Sequence, residues 1–178
     1  AAAGDLKGMY IMGENPLTSF PDRELVQKAL SNLEFLVVQD IFLTETAKVA
    51  DVVLPATAGP EKDGTFTNTD RVQRVRKAIE PPAKTRADWK ILCELFDVFG
   101  QALPYRDAME VTTAIAGEIP AYGGITPERL VKDGLHWPCP DTDHPGTSFL
   151  YGDGFPGGKG QFRAVDQQDN GSASTQYP

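Results

Sequence analysis

Two short polar exits from apolar runs carry the side chains best suited to chemistry in this sequence. Gly13-Glu14-Asn15-Pro16 follows Gly8-Met9-Tyr10-Ile11-Met12, and Gln39-Asp40 follows Phe35-Leu36-Val37-Val38. Gly13 permits close backbone approach to a ligand, and the Asn15 and Gln39 amides supply donors and acceptors. The Asp40 carboxylate can accept both N–H groups on the pairing edge of a guanine, a match that adenine and the pyrimidines offer less well. No GxGxxG or phosphate-cradling GxxxxGK[ST] accompanies these loops, and a polar residue is the ordinary way for a strand to end. From the residues alone, a nucleotide site and plain strand termini are both open readings.

The elements that must position them follow from periodicity. As successive strands of one βαβ unit, the two runs open both loops on the carboxyl edge of a parallel sheet, where open α/β sheets bind ligands. Asp22 is an expected N-cap for a helix with apolar positions Leu25, Val26, Ala29, Leu30 and Leu33. The all-apolar Phe35–Val38 run predicts a strand covered on both faces. Thr44 to Ala50 predicts a short helix and Asp51 to Pro55 a third strand. The fold class is therefore α/β, a partial doubly wound (Rossmann-like) parallel sheet with flanking helices.

From Ala58 to Pro82 the pattern predicts an extended excursion of hairpin type, with Asp63-Gly64 as a turn signal. Asp88 to Phe99 is the most strongly patterned helix, with Trp89, Leu92, Cys93, Phe96 and Phe99 on one face and Gly100 as its stop. Asp107 to Glu118 predicts another, and a shorter one follows Thr126-Pro127. Beyond Gly134 the chain is rich in Gly, Pro, Ser and Asp. This gives a domain at 1–133 and a Gly/Pro-rich linker at 134–178.

Composition narrows the function classes. The 178 residues carry a formal net charge of −8, which disfavours nucleic acid as a partner. The basic cluster Arg71, Arg74, Arg76 and Lys77 reads most simply as a solvated face. No apolar run approaches the ~20 residues of a membrane-spanning helix. The sequence starts Ala1-Ala2-Ala3 without methionine, so an upstream portion is expected. With two cysteines there is no disulfide framework and no four-cysteine metal site. Cys93 is expected to be a core thiol and Cys139, between two prolines, a linker residue. His136 and His144 with Cys139 lack a fourth partner for zinc. Lys62, flanked by Glu61 and Asp63, reads alone as a solvated lysine. Thr85-x-x-Asp88 has capping-box form, which would commit Asp88 to backbone donors at a helix start.

Several separate motifs in order nevertheless resemble one family. Gly8 to Pro16, Leu36-Val37-Val38-Gln39-Asp40-Ile41-Phe42-Leu43-Thr44-Glu45-Thr46-Ala47 and Ala50-Asp51-Val52-Val53-Leu54-Pro55 resemble the molybdopterin oxidoreductases (the dimethyl sulfoxide reductase family). Glu61 to Thr69, Glu80-Pro81-Pro82 and Asp88-Trp89 continue the match, and Trp137 to Pro140 resumes it loosely. Within the family the sequence looks most like the large (alpha) subunit of the formate dehydrogenases. It departs at Arg71-Val72-Gln73, where relatives often have two arginines before Val-Gln.

The resemblance implies a segment of a bis-molybdopterin guanine dinucleotide enzyme containing molybdenum or tungsten, oxidising formate to carbon dioxide. Gly13, Glu14, Asn15, Gln39, Asp40, Lys62 and Asp88 fall where such enzymes contact a dinucleotide. Lys62 would suit a phosphate or pterin oxygen, and the aspartates the guanine or ribose. The iron–sulfur cluster ligands, the metal-ligating residue and the active-site His-Arg pair would lie upstream. The 58–82 excursion would then dock on the iron–sulfur domain, and a barrel-like domain would begin near Tyr177-Pro178. Implied partners are the remaining parts of the same subunit and electron-transfer subunits with iron–sulfur or flavin centres, with no membrane contact by this segment. The expected location is cytoplasmic, with room for an upstream export signal. Alternatives are the large iron–sulfur subunit of respiratory complex I, which keeps the fold without the molybdenum cofactor, and another family member such as a nitrate reductase. An incomplete sheet of this kind is expected to be marginally stable and to expose apolar surface.

Overall fold

The computed structural model describes residues 1–82, 84–162 and 164. They divide into a body of residues 1–148 and a segment beginning at Phe149. In the body, β1 (Gly8–Met12), β2 (Phe35–Asp40) and β3 (Val52–Pro55) form a parallel sheet in the order β1-β2-β3. Met9 pairs with Leu36 and Ile11 with Val38, so the two-residue period sends these four to one face. There they meet α1 (Pro16–Ser19), α2 (Arg23–Ser31) and α3 (Glu45–Lys48) in a core of Ile11, Leu17, Leu30, Leu36, Val38 and Ala47. Asp22 caps α2 as expected, accepting the Leu25 N–H at 2.8 Å, and Thr44 caps α3 through the Ala47 N–H at 3.1 Å.

The expected cover on both faces of β2 is complete on one and reaches the other only at Gln39, which is fully buried. Both crossovers advance in the same direction along the sheet, so right-handed connections place their helices on the same side. The other face leaves Phe35 exposed and Val37 half-buried.

The 58–82 excursion is a hairpin, with β4 (Gly64–Asn68) antiparallel to β5 (Arg71–Val75). Gly64 starts a strand; the reversal occurs at Thr69-Asp70, where Thr69 takes φ +56°. α5 (Ala108–Glu118) packs against β4.

Residues after Gly134, expected to be linker, begin by adding a third strand, β6 (Leu135–His136), antiparallel to β5. Trp137 secures the hairpin turn, its indole Nε1 donating to the Thr69 carbonyl at 3.1 Å and its backbone N–H to Asp70 at 2.8 Å. Cys139 is therefore no linker residue. It is fully buried in a second core with Val72, Ile125 and Leu130. A Cβ on Gly124 would meet its Sγ at 2.8 Å and the Asp141 carbonyl oxygen at 1.9 Å, so only glycine fits there. The arginine cluster is not wholly solvated either: the Nε atoms of Arg71 and Arg74 are buried and unpartnered among the described residues.

Two helices differ from expectation. The stretch after Pro127 closes a single turn through Leu130 N–H to Thr126 O, and Arg129 reaches back to the Gly124 and His144 carbonyls, 2.7 Å each. α4 (Asp88–Val98) forms, but its buried residue is Ile91; Trp89, Leu92 and Cys93 are half-buried, and Phe96 and Phe99 exposed. In the segment from Phe149, the Tyr151 and Phe155 rings meet at 4.9 Å. Tyr177-Pro178, the expected start of a barrel domain, lies outside the described residues.

Burial separates the two thiols. Cys93 will react with an aromatic disulfide reagent in the native protein, whereas Cys139 will react only on unfolding, as peptide mass spectrometry can follow. Leu36→Ala will lower unfolding stability by roughly 2–5 kcal/mol in denaturant titrations.

Candidate functional site

The site begins where β1 and β2 end. Gly13 leaves β1 in a left-handed conformation, φ +63°, which glycine adopts without strain. Its N–H donates to the Gln39 carbonyl at 2.8 Å, carrying the parallel pairing one step past the strand. Glu14 stays exposed and ties its own loop, accepting the Asn15 N–H at 3.2 Å and the Ser19 hydroxyl.

Asn15 is more than turn chemistry. Its Oδ1 accepts the Thr46 hydroxyl at 2.7 Å and the Thr46 N–H at 3.1 Å; its Nδ2 donates to Glu45 at 2.8 Å and Thr18 at 2.9 Å. Both ends of the amide are thus spent on bracing the β1–α1 loop against the start of α3. The Asn15 hydrogen bond is the foremost reason that Glu45 ionises below the ordinary glutamate range. At the end of β2, half-buried Asp40 accepts the Phe42 N–H at 3.0 Å and its backbone carbonyl accepts the Ala56 N–H at 3.0 Å.

Asp88 reaches this edge because the chain returns from the hairpin and bridges Arg86 to Ala56 in parallel. α4 then opens with Asp88 beside Gln39. The capping-box reading of Thr85 and Asp88 fails: Thr85 Oγ1 donates to the Pro82 carbonyl at 2.8 Å, and the α4 N-cap, Ala87, receives no side-chain bond. Asp88 instead accepts the Gln39 Nε2 at 2.7 Å and the Lys62 ammonium on its other oxygen. Gln39 itself is 0% exposed, and its Oε1 accepts the Tyr10 hydroxyl. Burial opposes the charge on Asp88, but the bonds from Lys62 and Gln39 and the nearby ammonium outweigh it, holding the carboxyl below the usual aspartate value. Burial first, and the Asp88 charge second, push the Tyr10 phenol up.

Lys62 and Trp89 also line a cleft of about 440 Å³, within the size range of small-molecule sites. Five basic side chains face four carboxylates on its walls, so it is polar without being a bare anion trap. Thr57 lines it too, its hydroxyl buried and unpartnered among the described residues. A smaller cleft, about 220 Å³, runs between Lys62, Asp88 and α5.

The expected site residues thus resolve into one side-chain network, Gln39–Asp88–Lys62, and a separate loop brace formed by Glu14 and Asn15. Gly13 bonds the Gln39 backbone, and Asp40 ends the same strand. Sequence reasoning missed Tyr10, Glu45, Thr46 and Thr57. Strand alternation could have found Tyr10, since it pairs with Val37 and therefore faces the same side as Gln39.

Comparison with known proteins supplies the family. Residues 1–98 match the model described as Molybdopterin oxidoreductase. The chain belongs to the molybdopterin oxidoreductase family. Over 93% of its length it is 49% identical to the F420-dependent formate dehydrogenase subunit alpha of Methanocaldococcus jannaschii. It is 40% identical to formate dehydrogenase H of Escherichia coli over 93% of the chain, and 42% identical to the assimilatory nitrate reductase catalytic subunit of Bacillus subtilis over 85%. These alignments cover 25%, 24% and 22% of the relatives respectively, so the chain spans about a quarter of the length of the proteins it matches. Acetylene hydratase from Pelobacter acetylenicus shares the fold, with a TM-score of 0.60 at 22% identity over 74% of this chain and 18% of that one. The β1-β2-β3 sheet is thus a molybdopterin oxidoreductase sheet, and no helix among the described residues is long and apolar enough to cross a membrane.

Two outcomes follow from the geometry. Asn15→Ala leaves the Thr46 N–H and buried O–H without their acceptor, although Thr46 Oγ1 keeps the Leu17 N–H at 3.2 Å, and will cost about 1–3 kcal/mol in chemical unfolding. Because Asp88 ionises below its unfolded value, its stabilising contribution is complete above the ordinary aspartate pKa. It is lost as pH falls through the lower, folded one. Asp88→Asn will therefore flatten the acid limb of a stability-versus-pH profile below about pH 4 and leave the rest of the profile parallel to wild type.

Proposed function

We propose that this chain is a segment of the large subunit of a molybdenum- or tungsten-dependent formate dehydrogenase, and that its carboxyl sheet edge holds part of a pterin guanine dinucleotide. The carrying observation is the pairing of formate dehydrogenase alpha-subunit similarity along almost the whole chain with a charged network, Gln39–Asp88–Lys62, at the ligand edge of the sheet.

The residues fit such a group. Lys62 offers an ammonium to a phosphate or pterin oxygen, and Asp40 and Asp88 offer carboxylates to the N–H groups of guanine or the hydroxyls of ribose. Gly13 leaves backbone open to approach. The buried Thr57 hydroxyl, without a partner among the described residues, is a donor waiting on the wall of the adjoining cleft. Asn15 and Glu14 act one step back, holding the β1–α1 loop in place.

When bound, the metal–pterin group supplies the two-electron chemistry that takes formate to carbon dioxide. This segment binds and orients one end of that group. Cluster ligands, the metal-ligating residue and the proton-handling residues belong to other parts of the subunit, and electrons leave through iron–sulfur or flavin partners. We place the enzyme in the cytoplasm.

The nitrate reductase similarity makes a second substrate reading concrete. A cofactor-free relay subunit of the complex I type is disfavoured, because a site without a ligand has no chemical reason to keep Gly13-Glu14-Asn15-Pro16, Gln39-Asp40 and Lys62 together.

Purified full-length protein, denatured and hydrolysed, will release guanine nucleotide and no adenine or cytosine nucleotide. It will reduce a viologen dye with formate, and nitrate will not oxidise the reduced dye. Lys62→Ala will lower dinucleotide retention about tenfold or more. Asp40→Ala and Asp88→Ala, compared for guanine selectivity, identify which carboxylate reads the base. A folded protein free of nucleotide would overturn the proposal.

A further inference from the structure

We infer that Tyr10 is the positioning residue of this site: its hydroxyl fixes the orientation of the Gln39 amide, which in turn holds Asp88 as a carboxylate against Lys62. The two ends of a carboxamide are nearly equal in shape and opposite in hydrogen-bonding sense, so a buried one is oriented only by its partners. Gln39 is wholly buried, with Tyr10 on its Oε1 and Asp88 on its Nε2 at 2.7 Å. Lys62 bonds the far oxygen of Asp88 and does not touch the amide. Without the Tyr10 hydroxyl, Oε1 is left buried and unanswered. The amide then has no partner aligning its oxygen end, and as Oε1 shifts toward another donor or water the Nε2–Asp88 bond loosens.

Tyr10 suits the task. A phenol pushed above its ordinary range stays a donor throughout physiological pH, and its partial exposure makes Tyr10→Phe a mild substitution. Asp88 is faced by Lys62 from the turn before β4, with Asp63 along the same cleft wall and Lys90 on its own helix. Tyr10 is the titratable group behind Gln39. The consequence for cofactor holding rests on the function proposed above; the hydrogen-bonded chain itself does not.

The test follows Asp88 directly. Carbodiimides modify protonated carboxyls, so modification of the Asp88 peptide against pH, read by mass spectrometry, reports its ionisation in the full-length protein. Four proteins are compared: wild type, Tyr10→Phe, Gln39→Met and the double variant. In Tyr10→Phe the onset of modification should move to higher pH, with a rate near pH 5 roughly threefold to tenfold above wild type. In the Gln39→Met background, Tyr10→Phe should add nothing, because the intermediary is gone. A Tyr10→Phe profile that overlays wild type, or a Tyr10 effect that persists in Gln39→Met, overturns the inference. Guanine nucleotide released from the same wild-type preparation is measured in parallel: its absence sinks the dinucleotide reading while the modification profiles still decide the role of Tyr10.

Discussion

A carboxamide with no exposure to solvent must have both its ends answered by protein, and Gln39 meets that requirement by tying four elements together. Tyr10 comes from β1, Gln39 from β2, Lys62 from the turn before the hairpin, and Asp88 from the first turn of α4. An unpaired buried amide or a lone buried carboxylate costs more than its hydrogen bonds return. The Asp88–Lys62 pair is only partly buried, so its attraction is not offset by full desolvation of either ion. The network therefore fixes where α4 starts, and with it the wall of the adjoining cleft.

A second constraint acts at the neighbouring loop. Pro16 opens α1 immediately after Asn15, and the Asn15 amide spans to Thr46 and Glu45 across the start of α3. The loop after β1 is thus pinned from the far side of β2. Gly13, at positive φ, is left as the accessible stretch of backbone between the two braces. A rigid loop carrying a permissive glycine beside a charged pair is a preorganised edge, one that does not have to be ordered when a ligand arrives.

Much of this was legible in the sequence. Apolar runs of strand length, the Asp22 cap, the Thr44 to Ala50 helix and Asp51-Val52-Val53-Leu54-Pro55 pointed to the parallel unit, because local patterning and crossover handedness agree there. What escaped depended on contacts between distant segments. Cys139 is buried only because β6 pairs with β5 and Gly124 lets two backbones approach, and neither leaves a periodic trace in a Gly/Pro-rich stretch. The helix face of Trp89, Leu92, Cys93, Phe96 and Phe99 obeyed helical spacing, yet Ile91 was the residue that packed. Spacing defines a face and not the layer that covers it. Val52, Val53, Phe96, Val98 and Phe99 are all exposed, which is how a sheet edge and a helix face look without a covering layer. Asp88 could be placed near Gln39 by family resemblance alone, since the Ala56–Arg86 bridge that delivers it leaves no periodic signal.

We propose the Gln39–Asp88–Lys62 edge as a cofactor-binding surface of a molybdopterin oxidoreductase. The most direct test is an experimental structure of the full-length protein as purified, with its native cofactor. Density for a pterin dinucleotide is expected within hydrogen-bonding distance of the Lys62 ammonium or the Asp40 or Asp88 carboxylate, with Tyr10 bonded to Gln39 and Gln39 to Asp88. A cofactor bound elsewhere, with Lys62 and Asp88 pairing only with each other, would contradict it.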